Sequence, residues 1–165
     1  KVNYDKFGKI ASSGKIDKNI IDLLMKNKYF NIKPPKSLDR QYFFDFFLNL
    51  ISKKIDPYDV MATLLEFTAF SLIDSFKFLP KYPKTLIFSG GGLKNYTLMK
   101  RIQALTKCKL IKLEDHGFSP DFIEAELIGF LAARSLKNLP ITFPGTTGVS
   151  NPLTGGVLYK NYKNP

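Results

Sequence analysis

The sequence predicts an α/β fold that is rich in helix and contains a small, mainly parallel sheet. Three observations predict it. Apolar residues recur at helical spacing through the first half of the chain, a short apolar run ends in three consecutive glycines, and strand-like and helix-like segments then alternate. Such alternation is typical of parallel strands joined by helical crossovers. With 165 residues the chain is long enough for one domain with its own core.

Three helices are expected before the glycines. The first spans residues 17–27, with Asp17 in position to cap it. The second begins after Ser37 or Asp39 and carries aromatic residues at helical spacing, which we interpret as core packing. The third runs from about residue 57 to 78, after the capping residue Asp56. Because this helix is apolar on all sides, it should be largely buried.

The second half of the chain is predicted to form the sheet. The expected elements are a buried strand at 86–88, a helix over 96–106, a strand at 110–113, a helix over 120–136 and a last strand at 156–159. Asp121 and Glu124 lie in the first turns of the last helix, where the helix dipole favours acidic residues.

The glycine turn, residues 89–95, is the candidate binding site. In open parallel sheets ligands bind beyond the carboxyl ends of the strands, where Gly90, Gly91 and Gly92 would lie. Because glycine has no Cβ, a flat or anionic ligand can touch the main chain there, and the N–H groups that open the next helix favour negative charge. Asn95 follows, either as the cap of that helix or as a side-chain partner of the ligand. A tight turn without a ligand is the alternative.

Two known nucleotide motifs fit these glycines poorly. A Walker-type phosphate loop needs the pattern Gly-x4-Gly-Lys-Ser/Thr, which the sequence lacks. A dinucleotide-binding turn is closer, because Gly90-x-Gly92 follows a strand and Glu114 and Asp115 lie about 20 residues downstream. However, Asn95 stands where that motif has its third glycine, and too few strands follow to complete the fold.

Composition limits the compartment and the partners. No apolar run approaches the ~20 residues of a membrane span, and residues 1–20 lack a signal-peptide pattern, so no membrane partner is expected. The single cysteine, Cys108, allows no internal disulfide, which favours a reducing, cytoplasmic compartment. The net charge of +11 is carried mostly by scattered Lys rather than Arg. This argues against nucleic-acid binding, although a basic nucleic-acid-binding domain stays an alternative.

Several segments together resemble the anhydro-N-acetylmuramic acid kinase family of the sugar kinase/heat-shock ATPase/actin superfamily. The segments that carry the resemblance are Ala11-Ser-Ser-Gly-Lys15, Pro34-Pro-Lys-Ser37 with Arg40, Ala62-Thr-Leu-Leu-Glu-Phe-Thr68, Ser89-Gly-Gly-Gly-Leu-Lys-Asn95, the run from Asp121 to Ala125, Leu139-Pro140 and Thr147-Gly148. The resemblance implies the C-terminal lobe of an actin-like ATPase fold. The sequence departs from the family pattern at Leu38-Asp39, at Glu126 and at Phe143-Pro-Gly145.

The resemblance also implies an activity. Family members use ATP and Mg²⁺ to open the 1,6-anhydro ring of a cell-wall sugar with water while phosphorylating O6, which gives N-acetylmuramic acid 6-phosphate. The residues implied for the adenosine of ATP are Gly90, Gly91, Gly92 and Asn95. Glu124 matches a family glutamate associated with sugar binding. A further family motif, with either a binding or a structural role, is matched by Lys36, Ser37 and Arg40.

The catalytic groups of the family are expected outside this chain. The N-terminal lobe of the same protein, with its phosphate loop and the acidic residues that hold magnesium and activate water, would precede Lys1. The opening segment, with Gly8 and Gly14, is interpreted as the middle of a connection. Since phosphoryl transfer depends on positioning and charge neutralisation around the phosphates, the chain alone is expected to be inactive, with no catalytic or metal-ligating residue.

Two further expectations follow from an incomplete fold. A catalytically dead module that binds a nucleotide or another protein is the alternative to a kinase fragment. A sheet that lacks some of its strands exposes an edge, and self-association into a homodimer is one physical way to cover that edge.

His116, the only histidine, is interpreted as a surface-loop residue, because no metal-ligand or catalytic-triad pattern accompanies it.

Overall fold

The computed structural model describes residues 4–51, 55–119 and 122–159, with the backbone alone described at Arg40. These residues form two compact units. The first unit consists of the described residues within 1–33 and 38–120. The second consists of the described residues within 34–37 and 121–165. The predicted α/β class, rich in helix with a small parallel sheet, is confirmed. Within the described part, no helix is both long enough and apolar enough to cross a membrane.

Five α-helices lie in the described part of the first unit. They are α1 (Lys9–Ser13), α2 (Lys18–Met25), α3 (Arg40–Leu50), α4 (Pro57–Asp74) and α5 (Tyr96–Leu105). The side-chain carboxylates that cap α2, α3 and α4 belong to Asp17, Asp39 and Asp56. The helix starts predicted from capping residues are therefore confirmed. α4 ends four residues earlier than predicted, and a 3₁₀ turn at Ser75–Phe78 continues it.

The core of the first unit includes the contacts of α2 and α3 with the residues of α4. The buried side chains of Ile20, Leu24 and Phe47 form one cluster there. Phe43 of α3 packs as predicted, because its ring centroid lies 5.5 Å from that of Phe30, which in turn lies 5.7 Å from Phe67 of α4. Tyr42, by contrast, is exposed. α4 itself is less buried than its sequence predicts, since Tyr58 and Phe70 are exposed.

The sheet consists of β1 (Thr85–Phe88) and β2 (Lys109–Lys112), which pair in parallel with Leu86 opposite Leu110. α5 connects the two strands, so the predicted order of strand, turn, helix and strand is confirmed. The prediction that β1 is buried is wrong, because Ile87 is 59% exposed. Side chains alternate between the two faces of a sheet, and in β1 only those of Leu86 and Phe88 are partly buried.

The opening segment is regular structure rather than the predicted connection. A 3₁₀ turn at Lys6–Gly8 leads into α1, which packs against α4. Gly14 follows α1 and lies against the main chain of α4: a Cβ at this position would overlap the carbonyl of Tyr58 and lie 2.7 Å from the nitrogen of Asp59. The glycine therefore permits the close approach of two helices.

The second unit contains α6 (Ile123–Leu136), the single-turn helix α7 (Pro144–Thr147) and an antiparallel bridge between Thr142 and Leu153. The predicted start of α6, including Asp121, lies outside the described residues. Although α6 is rich in apolar residues, none of its residues is buried.

The last strand, predicted at residues 156–159, is not formed in the described part of the second unit. Gly156 has a φ of +93°, a left-handed conformation that interrupts an extended strand. The preceding carbonyl, that of Gly155, accepts a hydrogen bond from the hydroxyl of Ser135 in α6. The residue that precedes the predicted strand is therefore held by the helix rather than by a sheet.

A charged pair joins α4 to α5. The carboxylate of Glu66, with 10% of its side chain exposed, accepts hydrogen bonds from Nε of Arg101 and, at 2.6 Å, from its Nη2. This hydrogen bonding raises the pKa of Arg101 above its ordinary value. A raised pKa means that the contribution of protonated Arg101 is lost only as the pH rises through that raised value, so it is constant through the neutral range.

Arg101→Met is expected to lower the free energy of unfolding by about 2 kcal/mol, because the carboxylate of Glu66 stays buried without its partner. The loss is smaller than the about 3–5 kcal/mol of a fully buried pair, since 37% of the Arg101 side chain is exposed. Urea unfolding at neutral pH measures it. The matched control is Lys100→Met at the neighbouring exposed position, which should change stability by no more than about 0.5 kcal/mol. Equal losses in both variants would contradict a role for the ion pair.

Candidate functional site

The candidate site is the glycine turn between β1 and α5. Gly90 has a φ of +85°, a left-handed backbone that glycine adopts at little cost. A 3₁₀ turn at Gly91–Lys94 follows, closed by a hydrogen bond from the N–H of Leu93 to the carbonyl of Gly90 at 3.2 Å. α5 then begins at Tyr96. The chain thus passes from a parallel strand to a helix through an exposed main-chain segment.

The surroundings of Gly91 and Gly92 within the described chain do not require glycine at either position. Neither has a positive φ, and a Cβ built on either would meet no atom of the described residues within 4 Å. Gly14 is the opposite case, because a Cβ there would overlap the main chain of α4. Glycines that the packing of the described chain does not need leave the main chain open to a ligand.

Asn95 caps α5. Its side-chain Oδ1 accepts a hydrogen bond from the N–H of Leu98 at 3.0 Å, and its carbonyl accepts one from the N–H of Met99 at 3.0 Å. Of the two roles left open by the sequence, the cap is therefore observed, and the role as a ligand partner stays a prediction. The first N–H groups of α5 have no acceptor within the helix and carry the positive end of its dipole, which favours an electron-rich ligand.

The other predicted site residues belong to elements outside the glycine turn. Glu124 is exposed in the first turn of α6, in the second unit. Lys36 and Ser37 also belong to the second unit, where Lys36 is half-buried and Ser37 exposed. Arg40 is the first residue of α3, and its side chain lies outside the described part. The roles of these residues stay predictions, whereas the predicted adenosine residues form one continuous turn.

A contact between residues 5–8 and α5 was not predicted from the sequence. The ring of Phe7 stacks on that of Tyr96, with centroids 5.3 Å apart. The hydroxyl of Thr97 donates a hydrogen bond to the carbonyl of Gly8 at 2.9 Å. The available signal was Gly8, a residue type that is common in turns. Its observed φ of +77° places it in a turn.

The described residues were searched for clusters of side chains that could hold a metal ion. No group of three or more His, Cys, Asp or Glu side chains in this part of the chain lies close enough together to hold one. Magnesium prefers carboxylate, phosphate and water oxygens in an octahedral arrangement.

Comparisons with known proteins agree on one family. The sequence model of the family "Anhydro-N-acetylmuramic acid kinase" matches residues 1–161. A protein of this name from Zymomonas mobilis is 40% identical over 158 residues, which cover 96% of this chain and 42% of the relative. A relative of the same name from Rhizorhabdus wittichii is 41% identical over 95% of this chain and 42% of its own length. Another from Methylorubrum populi is 38% identical over 94% of this chain and 40% of its own length. The chain thus spans about two-fifths of the length of the relatives it matches.

Proposed function

The chain belongs to the anhydro-N-acetylmuramic acid kinase family, and from this we propose that it is the C-terminal, adenosine-binding part of a cytoplasmic ATP-dependent sugar kinase. The proposed reaction opens the 1,6-anhydro ring of anhydro-N-acetylmuramic acid with water and phosphorylates O6. Its product is N-acetylmuramic acid 6-phosphate, an intermediate of peptidoglycan recycling. We use the term complete kinase for the polypeptide that joins this chain to the N-terminal lobe of the family.

The observation that carries the proposal is the exposed main chain at Gly91 and Gly92, two glycines that the described packing does not require. The adenine ring and the ribose can lie against this main chain at the carboxyl end of β1, where ligands of open parallel sheets bind. Gly90 sets the direction of the turn, and Asn95 holds the start of α5 in place. These residues bind and orient the nucleotide, while ATP supplies the phosphoryl group.

We assign sugar binding to Glu124. Its carboxylate is exposed at the start of α6 and can accept hydrogen bonds from sugar hydroxyl groups. Lys36, Ser37 and Arg40 support either the substrate or the local fold. Magnesium, the catalytic groups and the remaining phosphate contacts belong, in this proposal, to the N-terminal lobe.

Exposed apolar surface supports an N-terminal lobe as a partner in the same protein. α6 is apolar on most sides, and helices of this kind are normally buried. However, Ile128 is 64% exposed and Phe130 is 58% exposed, and Ile87 of β1 is also exposed in the first unit. Large exposed apolar patches mark surfaces that contact other polypeptide. A homodimer is the second arrangement that would cover them.

The complete kinase is expected to release ADP only when the anhydro sugar is present, whereas the 165-residue chain alone should release none. The reason is that positioning and charge neutralisation around the phosphates need groups from both lobes. A coupled ADP-release assay measures both proteins with and without the sugar. Sugar-dependent turnover by the chain alone would overturn its assignment as a half-site, and absence of turnover by the complete kinase would overturn the kinase assignment.

A further inference from the structure

One loop contacts the capping residue of α5 and the first two residues of the helix. This N-terminal loop, residues 5–8, meets Asn95, Tyr96 and Thr97, which directly follow the glycine turn. A single segment distant in sequence thus holds the junction between the turn and the helix.

The loop touches Asn95 through Gly8. A Cβ on Gly8 would overlap Oδ1 of Asn95 and lie 2.6 Å from Cβ and 2.7 Å from Oγ1 of Thr97. The same Oδ1 accepts the capping hydrogen bond from Leu98. Gly8 therefore packs against the oxygen that fixes the orientation of the Asn95 amide, which commits Oδ1 to the helix and leaves Nδ2 as the hydrogen-bond donor of this side chain.

The loop is itself held in its conformation. Phe7 and Gly8 both have positive φ values, 64° and 77°, and a positive φ is uncommon for a bulky residue such as Phe. The carboxylate of Asp5 accepts hydrogen bonds from the N–H of Ile10 at 2.8 Å and from that of Ala11 at 3.1 Å. The stacking of Phe7 on Tyr96 and the hydrogen bond from Thr97 then attach this loop to α5.

We propose that Gly8 and Thr97 are positioning residues for the adenosine site. They hold Asn95 and the start of α5 in the orientation that the nucleotide meets, without touching the nucleotide themselves. This inference rests on the proposed function, because it assigns the glycine turn to adenosine. The hydroxyl of Thr97 carries the effect through its hydrogen bond to Gly8, so a threonine replacement that keeps the hydroxyl should keep nucleotide affinity.

The test is titration of ADP into the complete kinase by calorimetry, well below the unfolding midpoint of each variant. Thr97→Val removes the hydrogen bond at similar volume and should raise the Kd for ADP by about fivefold. Thr97→Ser keeps the hydroxyl and should restore the affinity of the unchanged protein. Ile102→Val, which removes a buried methyl group from the same helix away from the turn, is the control for stability and should leave the Kd unchanged.

Each outcome has a separate meaning. No ADP binding by the unchanged protein would overturn both the proposed function and the positioning role. Binding that is unaffected by Thr97→Val would overturn the positioning role alone. That role would also be overturned if Thr97→Ser failed to restore affinity, or if Ile102→Val weakened binding as much as Thr97→Val does.

Discussion

Gly14→Ala is expected to lower the free energy of unfolding by about 3 kcal/mol or more, which is at the upper end for overpacking. A Cβ at this position would overlap the carbonyl carbon and oxygen of Tyr58. Because both clashing atoms belong to the main chain of α4, no side-chain rotation can relieve the overlap, and α1 must move away from α4. Urea unfolding of the 165-residue chain measures the loss, provided that the transition is two-state.

The matched control for Gly14→Ala is Gly91→Ala in the same unit. Its Cβ would meet no atom of the described residues within 4 Å, and its backbone does not have a positive φ. We expect a change of no more than about 0.5 kcal/mol, of either sign. Equal destabilisation by the two substitutions would show that the close approach of α1 and α4 is not what requires glycine at position 14.

The same Gly91→Ala substitution is expected to weaken ADP binding to the complete kinase by about tenfold, or roughly 1.4 kcal/mol. If adenosine lies against the main chain of the glycine turn, a methyl group at Gly91 occupies the space of the ligand rather than of the protein. Calorimetric titration with ADP measures the loss. The thermal unfolding midpoint of the variant shows whether the fold is unchanged.

Gly117→Ala provides the contrast to this binding variant. Gly117 has a φ of +83°, so an alanine there is strained although its Cβ would meet no described atom within 4 Å. It lies after β2 rather than in the glycine turn, and so this variant should lose stability while keeping its affinity for ADP. Loss of ADP affinity in Gly117→Ala, with unchanged affinity in Gly91→Ala, would contradict the assignment of the glycine turn to the nucleotide.

Local signals made much of the fold predictable. Asp17, Asp39 and Asp56 each precede a helix that begins where capping places it, because a side-chain cap acts within the first turn. The strand, glycine turn and helix were also predictable, since the change from an apolar run to glycines and then to helical spacing occurs within a short stretch of sequence.

Contacts between distant segments were not predictable in this way. The loop at residues 5–8 packs on α5, about ninety positions away along the chain, and the residues involved show no periodicity that would pair them. The pairing of Glu66 with Arg101 left a weaker signal. A carboxylate in the middle of a largely apolar helix needs a cation nearby, but the sequence does not say which one.

Burial was predicted less well than secondary structure. Ile87 of β1 and Phe70 of α4 belong to elements that were predicted to be buried, yet they are exposed among the described residues. The hydrophobic pattern of a segment predicts whether its side chains are suited to a buried position. Their actual exposure depends on which other residues pack against them. Under the proposed function, the N-terminal lobe would cover such residues.

One pair of titrations tests most directly whether the glycine turn binds the adenosine moiety rather than phosphate. Adenosine, which has no phosphate, is titrated into the complete kinase and into its Gly91→Ala variant, and the two values of Kd are compared. We expect the substitution to weaken adenosine binding by the same factor as ADP binding, about tenfold. Unchanged affinity for adenosine, with the loss confined to ADP, would contradict this assignment and place the phosphates at the turn instead.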